Sequence, residues 1–196
     1  MPPLLESISN KVPFEEVIKI YSELVNRTLL RFPHSLNEKF TIYAAAGSPA
    51  EAARVLEKAL AEKGMALIPD GDKFTMLVPK AAADRVHPLA PKAKRGSLST
   101  AEPARSDADP KSEEIPAGVI NFPNVDARDV GRIYVEFVGR KLDPVEPFPP
   151  AGTISLRTQT AMTKEEVVYA LETLFAWSGI KPELVGDRFV KFVPSK

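Results

Sequence analysis

One stretch of this chain occurs twice, and that duplication constrains the fold more than any other feature. Ser48–Pro79 and Thr163–Pro194 pair without gaps at a spacing of 115 residues. They share Glu51/Glu166, Leu56/Leu171, Gly64/Gly179, Gly71/Gly186, Asp72/Asp187, Phe74/Phe189, Val78/Val193 and Pro79/Pro194. Each copy reads as a capped helix, a glycine stop, a short strand, a Gly-Asp turn and a closing strand. Upstream, Val12–Leu29 matches Val125–Leu142 at a spacing of 113, with Val17/Val130, Ile20/Ile133, Tyr21/Tyr134 and Arg27/Arg140 identical. Two copies of one supersecondary unit are the first thing a fold must accommodate.

The local signals give each copy its elements. Leu4–Ser9 is a candidate first strand. Pro13 then opens an amphipathic helix whose apolar residues Phe14, Val17, Ile20, Tyr21 and Leu24 recur at three- and four-residue steps. Leu29–Phe32 and Lys39–Ala44 are candidate strands. Ser48-Pro49-Ala50-Glu51 starts a second helix, with Ser48 as cap, Pro49 in the first turn and Glu51 completing S-x-x-E. Its buried stripe is Ala52, Val55, Leu56, Ala59 and Leu60, and Gly64 ends it. Met65–Ile68 and Lys73–Val78 form a hairpin. In the second copy, Gly118–Phe122 reads as a strand, Asp126 caps a helix with Val130, Ile133, Tyr134 and Phe137 inside, and Thr153–Thr158 is a strand. Thr163-Lys164-Glu165-Glu166 repeats the capping box before a helix with Val167, Ala170, Leu171, Leu174 and Phe175 inward. The expected fold class is α+β: two tandem β-α-β-β-α-β-β units over residues 1–80 and 116–196, each with two helices on one face of a small mixed sheet.

Between the copies, residues 81–115 change character. Alanine, proline, serine and charge dominate, and Pro88, Pro91, Pro103 and Pro110 interrupt regular structure. The segment reads as a flexible tether with a random-coil reach of roughly 30–35 Å.

Charge and composition narrow the chemistry. Lysine plus arginine and aspartate plus glutamate are both 26, balanced at 10 and 10, 6 and 6, and 10 and 10 in residues 1–80, 81–115 and 116–196. No segment has the basic excess that phosphate-backbone binding needs. The chain has no cysteine, which removes disulfides, thiolate catalysis and cysteine-ligated zinc. No apolar run approaches the ~20 residues of a membrane-spanning helix, and Met1–Glu6 lacks a signal peptide's basic start and long apolar centre. His34 and His87 sit in a turn and in the tether, without convergent metal ligands. The acidic pairs Glu15/Glu16, Glu165/Glu166 and Asp70/Asp72 are accounted for by helix starts and a hairpin tip. No catalytic triad, phosphate loop or metal motif is present, so neither an enzyme nor a cofactor is expected.

The ordered series in residues 116–195 resembles the small N-terminal periplasmic repeats of bacterial secretins, the ring-forming channels of type II secretion and type IV pilus systems. The resemblance rests on Ile120-Asn121-Phe122-Pro123-Asn124-Val125-Asp126 leading into a helix, and on Gly139-Arg140-Lys141-Leu142-Asp143-Pro144 after it. Thr163-Lys164-Glu165-Glu166 with Leu171, the Gly179 stop and Phe189–Pro194 complete it. It implies a non-enzymatic module of a bacterial envelope secretion or pilus assembly: a periplasmic portion of a secretin-like protein contributing to ring assembly and docking. The implied location is the periplasm or cell envelope. The implied partners are proteins, either further copies or other secretion or pilus components, with no nucleic acid and no membrane insertion by this segment.

Two alternatives belong to other classes. A free-standing adaptor would bind an envelope protein through an exposed strand edge. The β-α-β-β-α-β order is also that of KH-type nucleic-acid modules, but no G-x-x-G clamp occurs and each copy is electrically neutral. Residues that the expected cores do not absorb, Tyr169, Trp177 and the Pro147–Pro150 loop with Phe148, are the candidate interface. For Trp177 the edge of a widened core is the favoured reading over an interface.

Overall fold

A computed structural model describes residues 11–33, 39–42, 48–84, 86 and 114–195. The N-terminal half contains β1 (Val12–Pro13), α1 (Phe14–Val25), β2 (Thr28–Arg31), β3 (Lys39–Phe40), α2 (Pro49–Glu62), β4 (Met65–Asp70), β5 (Phe74–Pro79) and the single turn α3 (Lys80–Ala83). The C-terminal half contains β6 (Asn121–Asp126), α4 (Ala127–Phe137), β7 (Lys141–Leu142), β8 (Thr153–Arg157), α5 (Lys164–Trp177), β9 (Ile180–Val185) and β10 (Phe189–Pro194). The fold is mixed α+β, with five helices among the described residues and several small sheets.

Strand pairing has the same form in both halves. β5 lies between β2, which is parallel to it, and β4, which is antiparallel. β10 lies in the same way between β7 and β9. Separate two-stranded antiparallel ribbons pair β1 with β3 and β6 with β8. The candidate strand Leu4–Ser9, the end of Lys39–Ala44, both histidines and most of the tether lie outside the described residues.

Local chemistry fixes the helix ends. The Ser48 hydroxyl accepts from the Glu51 backbone N–H, and Thr163 with Glu166 forms a reciprocal capping box. Asp126 caps α4 by accepting from the Arg128 N–H at 2.8 Å. α2 and α5 both stop at a glycine in the left-handed region, Gly64 at φ +77° and Gly179 at φ +80°. A side chain at either position would strain the backbone, which is why the sequence repeats glycine there.

β6 starts later than Gly118 because Gly118 itself turns the chain at φ +76°, its N–H held by Thr158. The strand then runs through a bulge. Phe122 pairs with Leu156 and Val125 with Ile154, so Pro123 and Asn124 together oppose Ser155. Asn124 takes φ +53°, its N–H donating to the Ser155 hydroxyl, which donates back to the Asn124 side-chain oxygen at 2.7 Å. Lys141–Leu142, too short for a period-two signal, forms the parallel edge strand β7. Lys80–Ala83, where the composition predicts only tether, forms one helical turn, with Ala83 and Val86 against the core.

The sheet β2-β5-β4 is buried on both faces. Leu29, Leu77 and Met65 pack with Val17, Leu56 and Leu60 of α1 and α2. The alternate residues Leu30, Phe74, Met76 and Val78 belong instead to the core that contains Leu171, Leu174 and Phe175 of α5. The two halves therefore share a core. Burying those four side chains is worth roughly 6–12 kcal/mol as an upper estimate, comparable with the whole stability of a small domain. This contact ties the halves together.

The corresponding face of β7-β10-β9 has different chemistry. Met76 is replaced by Lys191, Ile68 by Glu183 and Ala66 by Lys181, and Lys181 pairs with Glu183 at 3.0 Å. Phe189, Lys191 and Val193 on β10 are only partly buried. One sheet face is made for a helix and its counterpart for solvent.

Candidate functional site: the boundary between the two halves

α5 crosses the N-terminal sheet and makes polar contacts at its margins. The Tyr169 hydroxyl donates to Asp70 Oδ2 at 2.5 Å. Asp70 is a carboxylate only 1% exposed, so this bond meets part of the desolvation that burial imposes. The Tyr169 ring also meets Phe74 edge-on at 5.6 Å. Lys73 Nζ lies 2.7 Å from Glu166 Oε2 and 2.9 Å from the Ala161 carbonyl oxygen. The same Glu166 oxygen accepts from the Thr163 N–H at 2.9 Å, so the capping box of α5 is tied to the hairpin of the other half. At the far end of α5, Trp177 packs on Phe32, ring centroids 5.9 Å apart.

A second group of contacts joins α1 and β2 to the β6–β8 ribbon. The Gln159 side-chain amide donates to the Ser22 hydroxyl at 3.1 Å, and the Gln159 N–H donates to the Thr28 hydroxyl at 2.9 Å. Both hydroxyl residues are buried. This explains why the buried arc of α1 is Phe14, Val17, Ile18, Tyr21 and Ser22 rather than the stripe through Ile20 and Leu24. The other half covers the flank that carries Ile18 and Ser22.

Between α1, β2 and the outer face of the β6–β8 ribbon lies a cleft of about 390 Å³. A second lobe of about 330 Å³ adjoins it, and both are lined by Glu15, Arg31, Asn124 and Ser155. Arg31 makes a two-pronged ion pair with Glu15, both contacts at 2.7 Å, and its guanidinium sits 5.4 Å from the Phe14 ring centroid. The bulge at Pro123-Asn124 forms part of the wall.

The three candidate interface residues have separate fates. Tyr169 and Trp177 lie against the N-terminal half, as described. Phe148 instead folds back on its own half, 4.7 Å from the Phe192 ring centroid and 5.9 Å from the Arg128 guanidinium. It occupies the space a side chain at position 131 would fill, because a Cβ on Gly131 would come within 2.8 Å of the Phe148 ring.

One polar pair is repeated. Tyr21 donates to Glu57 at 3.1 Å between α1 and α2, and Tyr134 donates to Glu172 at 2.8 Å between α4 and α5. Burial, and secondarily the neighbouring glutamate charge, push both phenols well above the ordinary tyrosine range. These are stable neutral donors tying helix to helix.

The boundary residues Asp70, Lys73, Gln159, Thr28 and Phe32 are not singled out by sequence reasoning, which accounts for Asp70 by turn chemistry alone. The available signal is Phe74-Thr75-Met76-Leu77-Val78, an uncharged run in which every residue is buried. Such a run marks a strand covered on both faces, whereas Phe189-Val190-Lys191-Phe192-Val193 carries a charge at Lys191 and alternates in burial.

In comparisons with known proteins, no family model matches the chain and no curated protein matches it. Among the described residues, no helix is long and apolar enough to cross a membrane, and no group of three or more His, Asp or Glu side chains is placed to hold a metal.

Proposed function

We propose that the chain is a structural and interaction module of a bacterial envelope secretion or pilus assembly, built from two secretin-type repeats. The observation that carries this reading is the repeated element order and strand pairing, combined with a helix of one half seated on the sheet of the other. The ordered likeness of residues 116–195 to periplasmic secretin repeats supplies the envelope setting and a homo-oligomeric role.

The adaptor reading through an exposed strand edge has less support. The edge strands β4 and β9 carry Pro69 and Pro182, which withhold a ladder donor, and β7 is two residues long. The test is fractionation of cells expressing the complete reading frame, with light scattering on the recovered protein. Envelope location and a homo-oligomer are expected. A cytosolic monomer contradicts the proposal.

A further inference from the structure

The cleft between α1 and the β6–β8 ribbon has most of its polar lining already satisfied. Arg31 is held by Glu15, Asn124 by Ser155, and Gln159 by Ser22. Three side chains of the lining make no intramolecular hydrogen bond or ion pair among the described residues: Lys19, Arg157 and Asn121. Asn121 and Arg157 are directly opposed on neighbouring strands, so they present to the same face of the ribbon. Lys19 lines the same lobe from α1. The one carboxylate in the lobe, Glu15, is spent on Arg31.

The lobe therefore offers unopposed cationic donors beside the apolar residues Ile18 and Leu29. Beyond the Arg31–Glu15 pair, the second lobe ends against Phe32 and Leu174. Clefts between packed halves, with a few convergent polar groups over apolar walls, are common recognition sites, and bulges frequently border them. The cleft is elongated and open, so a small free anion would stay largely hydrated there, whereas a chain segment can use both lobes.

We propose that this cleft binds an extended segment of a partner protein that carries a carboxylate for Lys19 and Arg157 and, further along, an apolar side chain for the lobe at Phe32 and Leu174. Arg157 supplies a planar fork suited to a carboxylate and Lys19 a second charge, while the Arg31–Glu15 pair fixes the spacing between the lobes. The recognition stands on the cleft alone and does not require ring assembly.

The probe is a fluorescein-labelled nonapeptide bearing two aspartates and, four residues on, a leucine, with an Asn-for-Asp version as control, followed by anisotropy on the full chain. Saturable binding is expected, falling as salt rises, and about tenfold weaker for the neutral peptide and for Lys19→Glu/Arg157→Glu. The milder Lys19→Gln/Arg157→Gln variant is expected to weaken binding in the same direction. Lys58→Glu/Lys80→Glu, which changes net charge equally on other exposed surfaces, is expected to leave affinity within about twofold. No saturable binding at millimolar protein, equal binding of the neutral peptide, or equal loss in both charge-reversal variants overturns the proposal.

Discussion

Tyr169 on α5 donates its phenolic proton to Asp70 at the end of β4, across the boundary between the halves of the chain. Replacing Tyr169 with Phe keeps the ring contact with Phe74 and removes only that donor. The expected cost is about 1.5–3 kcal/mol, the range for hydrogen bonds to a charged group. Urea denaturation checks it: the midpoint drops while the slope is preserved. Breaking the Lys73–Glu166 pair costs less, about 1 kcal/mol or under, because both side chains are near one-third exposed.

Met76 and Lys191 occupy equivalent positions on the two sheets, one beneath α5 and one at the partly exposed face. Met76→Lys places an unpaired ammonium in the shared core. The expected loss exceeds about 4 kcal/mol, the range reserved for buried unpaired charge. The reverse change, Lys191→Met, is expected to stay within about 0.5 kcal/mol, as for ordinary surface substitutions. Thermal melts of both variants measure the contrast.

Gly131 lies within α4 with the Phe148 ring against it. Gly131→Ala gains up to about 1 kcal/mol of helix propensity but forces Phe148 and Phe192 to move, at about 1–3 kcal/mol. Net destabilisation is expected in the natural background. In a Phe148→Ala background only the Phe192 ring, 3.3 Å from the added Cβ, must give by a few tenths of an ångström, and the gain in helix propensity is expected to make the same substitution stabilising. A double-mutant cycle by chemical denaturation reads the reversal of sign.

The helix-to-helix phenols Tyr21 and Tyr134 are held neutral in the folded chain. Their folded pKa values lie above the unfolded value of about 10, so the unfolded chain loses those protons first as pH rises. Their stabilisation is complete below about pH 10 and is lost above it, at up to about 1.4 kcal/mol per pH unit for each tyrosine. Denaturation between pH 9 and 11.5 is expected to show this alkaline slope, and Tyr21→Phe/Tyr134→Phe to flatten it.

What the sequence made legible was local. The caps at Ser48, Asp126 and Thr163, the stops at Gly64 and Gly179 and both Gly-Asp hairpins depend on neighbours a few residues away, and the chain repeats them. The boundary was harder to read because its chemistry is long-range. Asp70 and Tyr169 are 99 residues apart, and Gln159 and Ser22 are 137 apart. Tyr169 and Trp177 could be picked out as surplus to the core of their own half. Nothing nearby says that their partner is another sheet of the same chain. Phe148 was equally surplus until Gly131 opened a place for it. The cleft requires both halves at once, so no window of sequence displays it.

The relation between the two halves rests on α5 and the core it shares with the N-terminal sheet. A protease site inserted between Gly96 and Ser97, followed by complete cleavage and size exclusion with light scattering at about 10 μM, tests this directly. A shared core of this size predicts that the two fragments co-elute at the mass of the uncut chain. Fragments that separate into two species of about half that mass would contradict it.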